Sequence, residues 1–149
     1  MTFQLIATLC AAIFTGAAIY INLVEHPARM SLGVAAALAE WKPSYRRATL
    51  MQAPLAIAGL VAALGAWAIG GGRAWLFGGL VLGAVVPFTL LVIFATNEQL
   101  QRLDPSSQGD LDRAHALLDR WNRLHAVRSL LSFAALVIFL VLLDRTRAA

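Results

Sequence analysis

Four apolar blocks, at about 3–24, 48–70, 74–96 and 124–143, leave this chain few folds to choose from. A helix needs roughly 20 apolar residues to cross the hydrocarbon core of a bilayer. Backbone N–H and C=O groups in lipid must pair within the segment, so blocks of this length predict helices rather than open strands. Charge agrees: 13% of the residues are charged, against roughly 25% in a soluble domain. The expectation is an all-α, integral membrane four-helix bundle, a single membrane domain over residues 1–149.

The first block has no basic residue before it and exceeds the usual h-region of roughly 7–15 residues, so it reads as a retained span and not a signal peptide. Pro27 disfavours helix at the preceding residue and predicts an end there. Residues 31–41 are alanine-rich and too short to span, with Met30, Val34, Leu38 and Trp41 on one face and Ser31 as a candidate cap. They predict a short helix lying in the membrane interface. Gly70-Gly71-Gly72 predicts a tight turn between the second and third spans. The third span runs on toward Leu103, interrupted only by Pro87. Ser107 and Asp110 have capping-box spacing, and no Gly or Pro follows from Asp110 to Leu143. That predicts a long fourth helix, whose first part, about 108–123, projects beyond the bilayer.

Polar residues inside the spans are not scattered. Thr8, Thr15 and Asn22 are seven apart and His26 follows four later, which at 100° per residue puts them within an arc of about 40°. Tyr45, Thr49, Gln52, Ala56, Gly59 and Ala63 share a face of the second helix. On the fourth, Trp121, Asn122, His125, Arg128, Ser129 and Ser132 fall within about 120°, opposite Leu124, Val127, Leu130 and Leu131. An ionisable group in a span faces the bundle interior or a wet cavity and is a functional-site candidate by default. The stripes together predict a polar pocket near one membrane face. Its candidates are His125, His26 and Arg128 for catalysis, and Asn22, Glu25, Tyr45, Gln52, Asn97, Trp121 and Asn122 for substrate binding.

Three chemistries could use such a pocket. Histidine titrates near neutrality and can take and return a proton, while arginine stays charged and can hold an oxyanion. Alternatively, His26, His125 and Glu25 could bind a metal ion, or two facing histidines could ligate haem, although the His-x-x-His and Glu-x-x-His spacings of bundle metal sites are missing. The third possibility is structural, since polar side chains hydrogen-bond between helices in many membrane bundles. Cys10 is the single cysteine, so a dithiol redox pair is excluded. No acidic residue lies in the middle of a span, which argues against a proton-coupled exporter; a structural membrane subunit stays open. The net charge of +4 comes from basic residues beside apolar segments, which fits membrane ends and not a nucleic-acid face.

The expected partners are membrane lipids and a small apolar molecule, with a homo-oligomer possible through Gly78-Gly79 or the small-residue face of the second helix. Arg29, Lys42, Arg46 and Arg47 in one long connection and Arg102, Arg113, Arg120 and Arg123 in the other outnumber Arg73, Arg145 and Arg147. Basic residues collect on the cytoplasmic side, so the long connections are expected there and both termini opposite.

Three motifs carry a likeness. Asn22-Leu23-Val24-Glu25-His26-Pro27-Ala28-Arg29, Lys42-Pro43-Ser44-Tyr45-Arg46-Arg47 and Trp121-Asn122-Arg123-Leu124-His125-Ala126-Val127-Arg128 resemble those of the anthrone oxygenase-like family of small four-span membrane proteins. The resemblance implies a four-helix integral membrane protein, an oxygenase of anthrone-like aromatic substrates, and chemistry without a cofactor; the expected location is a bacterial cytoplasmic membrane.

Overall fold

The computed structural model describes residues 1–148, with side chains through residue 145. The expected basic anchor from Asp144 to Arg147 therefore lies partly outside the described residues. Four long helices make the bundle: α1 (Thr2–Ser31), α2 (Val34–Gly71), α3 (Arg73–Arg102) and α4 (Gln108–Ala148). All four are long and apolar enough to cross a membrane, and the chain is an integral membrane protein.

The helices outrun the apolar blocks, and they do so at one end. Residues 26–31 of α1, 34–47 of α2, 97–102 of α3 and 108–123 of α4 continue the bundle past the blocks. This extension has its own core, in which Leu38 and Trp41 of α2 meet Leu100 and Leu103 at the end of α3 and Ala114, Leu118 and Trp121 of α4. A helix of 41 residues is about 60 Å long, twice the roughly 30 Å hydrocarbon core, so α4 must project, as its length demanded.

Two expectations about helix ends are corrected. There is no separate interfacial helix at 31–41: α2 starts at Val34, after Gly33 at φ 90°, and passes through Pro43 without a break. Ser31 does not cap it; its hydroxyl donates to the carbonyl of Ala28 at the end of α1. The apolar face of 34–41 is buried against α4, so packing outweighs the lost hydrogen bond of one proline. Ala39 and Pro43 are both exposed, so the freed carbonyl is open to water. Nor does Pro27 end α1. The chain makes a π-helical turn at Ile21–Glu25 and continues helically to Ser31. The wider turn takes up the geometry that proline imposes on the preceding residues.

The hairpin between α2 and α3 forms as expected, with Gly70 and Gly72 at φ 91° and 92°. Gly78 and Gly79 serve the bundle interior. A Cβ on Gly78 would lie 2.6 Å from the Phe139 ring of α4, and one on Gly79 2.6 Å from the Ala63 methyl of α2. The capping box at α4 is not made. The Ser107 carbonyl accepts from the Leu111 N–H, but the Asp110 carboxylate accepts from the Asp104 backbone N–H. Asp104 in turn accepts from the backbone and hydroxyl of Ser106, which hold its carboxyl below the usual carboxylate range.

Two further apolar clusters fill the spanning part. One lies toward the termini, with Ala7, Ala11, Ala63, Trp75 and Phe139. The other, in mid-bundle, has Phe14, Ala18, Ala56 and Val85. Asn22, Gln52, His125 and Arg128 sit between the mid-bundle cluster and the core of the extension.

Candidate functional site

The α1 stripe faces inward: Thr8, Thr15 and His26 are buried and Asn22 is half-buried. Asn22 lies in the π-helical turn, where an α-helix gains an extra residue; such turns often accompany functional sites. Its carboxamide joins α1 to α4. Nδ2 donates to the Asn122 carbonyl at 3.0 Å and to Asn122 Oδ1 at 2.7 Å. Oδ1 then accepts from the Ser129 hydroxyl at 2.6 Å and lies 2.9 Å from His125 Nδ1. With the nitrogen end committed to two acceptors, the oxygen end requires a donor, and His125 carries its proton on Nδ1. Nε2 makes no hydrogen bond with any described residue and is left with its lone pair.

Arg128, one turn on from His125, reaches α2. Its guanidinium donates to Gln52 Oε1 at 2.8 Å and lies 5.5 Å from the Phe14 ring centroid. Its Nε and the Nε2 of the fully buried Gln52 have no partner among the described residues. No carboxylate among the described residues pairs with Arg128, although a buried cation ordinarily finds one.

Tyr45 and Asn97 form a separate pair, with Asn97 Nδ2 donating to the phenolic oxygen at 3.2 Å. Tyr45 stacks on Trp41 with ring centroids 5.0 Å apart, and Trp41 meets Trp121 edge-on at 5.6 Å. The Trp121 indole also lies against both imidazoles, 5.9 Å from His26 and 4.9 Å from His125. His26 Nδ1 is buried and has no partner among the described residues.

Glu25 belongs to a fourth group. It pairs with Arg29 and accepts from the Ser44 hydroxyl at 2.6 Å, while Arg29 Nε also lies 2.8 Å from Glu40. The set His26, His125 and Glu25, weighed as metal ligands, is not brought together: Glu25 is held by Arg29 and Ser44 and His125 by Asn22. Among the described residues no three His, Cys, Asp or Glu side chains cluster to hold a metal ion.

The sequence stripes thus converge on one region, but they line two spaces. An apolar pocket of about 290 Å³ opens between α2 and α3, lined by Phe14, Tyr45, Ala53, Val86, Thr89 and Phe94 among others, and Arg128 reaches it. Beside it lies a cavity of about 20 Å³, bounded by Tyr45, Gln52, Trp121, His125 and Arg128. Tyr45, Thr49 and Arg128 border both. The small cavity is polar and large enough for one water, which needs roughly 10–15 Å³. His26, Asn22 and Asn122 line neither space.

Sequence reasoning missed most of the pocket wall. Phe14, Val86 and Phe94 are indistinguishable by residue type from lipid-facing neighbours. Arg29, 4% exposed, was also missed as a buried group; its i,i+4 spacing from Glu25 was the available signal.

The sequence model of one protein family, described as anthrone oxygenase, matches residues 41–138, well over half of the chain. The match takes in Tyr45, Gln52, Asn97, Trp121, Asn122, His125 and Arg128, while Asn22, Glu25 and His26 precede it. No curated protein and no solved structure matches the chain.

Proposed function

The chain belongs to the anthrone oxygenase family, and on that premise we propose that it oxidises a flat, anthrone-like aromatic substrate drawn from the bilayer. The observation that carries this reading is Arg128: a guanidinium without a carboxylate partner, at the polar end of an otherwise apolar pocket. A cation so placed is available to an anion that forms during reaction. The pocket volume, about 290 Å³, is near the lower end of the roughly 300–1,000 Å³ range of small-molecule sites and suits a compact ligand.

In this reading the ring system enters between α2 and α3 with its carbonyl oxygen toward Arg128 and the Tyr45 hydroxyl. His125 Nε2 removes the acidic C–H proton through one water in the 20 Å³ cavity, since a general base acts through a single intervening water as well as directly. The electron pair moves into the ring system and the negative charge onto the carbonyl oxygen, where Arg128 and Tyr45 stabilise it. The carbanion passes one electron to O2, and the resulting radical pair combines at carbon. The proton held by His125 returns to make a hydroperoxide. Loss of the remaining C–H proton and cleavage of the O–O bond then give a ketone and one water. One O2 is consumed for each substrate, one oxygen atom entering product, and the scheme calls on no cofactor. Asn22 positions His125 and fixes its tautomer; His26 positions Trp121, which borders the same cavity. With the basic residues concentrated in the two long connections, we place that end of the bundle in the cytoplasm of a bacterial cell.

The test is oxygen consumption by purified protein with a hydroxylated anthrone, compared with Ala53→Trp, which fills the pocket, and His125→Ala. Wild type should exceed the spontaneous rate and both variants should fall to it. A wild-type rate no greater than the spontaneous one ends the proposal.

A further inference from the structure

A second and larger recess lies on the other side of α2. It is an open groove of about 840 Å³ between α1 and α2 and is distinct from the substrate pocket. Its floor is small, from Gly16 and Ala17, and Met51 is among its apolar walls. Its upper end is charged. Glu25 and Glu40 border it there, both tied to the buried Arg29, and the three together carry a net charge of −1. Glu25 Oε2 and Glu40 Oε1 take no hydrogen bond from the described residues. Arg47 also lines the groove and makes no ion pair or hydrogen bond with them.

The charges are ordered along α2. Glu40, Arg47 and Met51 are seven and four residues apart, which puts them on one face of the helix. Glu40 stands about 10 Å farther from the membrane interior than Arg47. A negative centre therefore lies outermost, then a cation, then an apolar trough running into the bilayer. We infer that this groove binds a phospholipid with a primary-amine zwitterionic headgroup, phosphatidylethanolamine, ammonium to Glu40 and Glu25, phosphate to Arg47 and one acyl chain over Gly16, Ala17 and Met51. The headgroup's own order from water to hydrocarbon is amine, phosphate, acyl chain, which matches the groove. The net charges match too, one positive centre meeting −1 and one negative centre meeting +1. A carboxylate pair selects a primary ammonium over a quaternary one, because only the former donates hydrogen bonds. An anionic headgroup lacking the amine would meet the two carboxylates unfavourably.

The experiment is native mass spectrometry of the full chain released from micelles containing equal amounts of dioleoyl phosphatidylethanolamine, phosphatidylcholine and phosphatidylglycerol. Phosphatidylethanolamine should be retained about tenfold over each of the others, the worth of one charge-assisted hydrogen bond. Arg47→Ala, which removes no hydrogen bond or ion pair among the described residues, should reduce retention by a similar factor. Glu40→Gln should erase the preference over phosphatidylcholine while leaving residual binding. Equal retention of the three lipids by wild type, preference for phosphatidylglycerol, or undiminished retention by Arg47→Ala would each overturn the assignment. The wild-type competition decides the matter even if a variant folds poorly.

Discussion

The carboxamide oxygen of Asn22 lies 2.9 Å from Nδ1 of His125, across 103 residues of chain. The same oxygen accepts from the Ser129 hydroxyl, and the amide nitrogen donates to two oxygens of Asn122. One side chain on α1 thus satisfies three residues of α4 and decides which imidazole nitrogen carries the proton.

Replacing that side chain should be costly in two ways. Asn22→Leu leaves the His125 Nδ1 and the Asn122 side chain without their partner and the Ser129 hydroxyl with only the His125 carbonyl, 3.4 Å away, and should destabilise the bundle by about 3 kcal/mol. It should also lower the oxidation rate, because His125 can then adopt either tautomer. Thermal unfolding in detergent and O2 uptake read the two effects separately. An unchanged unfolding temperature would show that water replaces Asn22 at no cost.

Arg128 has a charge role and a geometric one. Arg128→Met should reduce kcat by about 10²–10³-fold, the usual loss when an oxyanion donor is removed. Arg128→Lys keeps the charge but not the planar fork that reaches Gln52 and the pocket together, and should recover only part of the rate. Steady-state kinetics of both variants check this. A rise in KM with kcat intact would move Arg128 from catalysis to ground-state binding.

Gly78 tests the packing of α3 on α4. Phe139 is fully buried and stacks on Trp75 with centroids 5.3 Å apart, so it cannot swing aside for a new side chain. Gly78→Val should cost about 1–3 kcal/mol. Gly109→Ala, with nothing within 4 Å of the added methyl, should be neutral or slightly stabilising. Comparable unfolding of the two variants would contradict the packing described.

Arg29 is held by carboxylates from two helices, with its own side chain 3% exposed and Glu40's 47%. Arg29→Met should destabilise by about 2 kcal/mol, less than for a fully buried pair because the carboxylates keep access to water. Arg29→Lys should restore part of the loss. Denaturant or thermal titration of the series provides the comparison; equal stability of Met and wild type would mean the carboxylates rehydrate freely.

Much of the architecture was legible because it follows from local pattern. Block length against bilayer thickness predicts four spans, and the seven-residue spacing of Thr8, Thr15 and Asn22 predicts the inward face of α1. The length of α4 without Gly or Pro predicts its projection. Two readings of helix ends failed for one reason. Pro27 and Pro43 remove a single hydrogen bond each, whereas the helices around them gain a buried face: Ile21 and His26 in α1, Leu38 and Trp41 in α2. A local breaker lost to tertiary packing, which a single segment does not display.

The candidate site divides along the same line. Sequence alone determined that Thr8, Thr15, His26, Gln52 and His125 face inward, since helical periodicity gathers the polar side chains of each span on one face. It also identified His125 and Arg128 as costly groups to place inside a membrane. Only the tertiary structure decided which partners they meet. Asn22 turns to His125 and Gln52 to Arg128, while Glu25 is claimed by Arg29 and Ser44. The pocket itself arises from Phe14 of α1, Ala53 of α2 and Thr89 and Phe94 of α3, apolar or weakly polar residues on three helices. A cavity is a property of the gaps between helices, set by how three or four of them cross, and no periodicity within one helix encodes it.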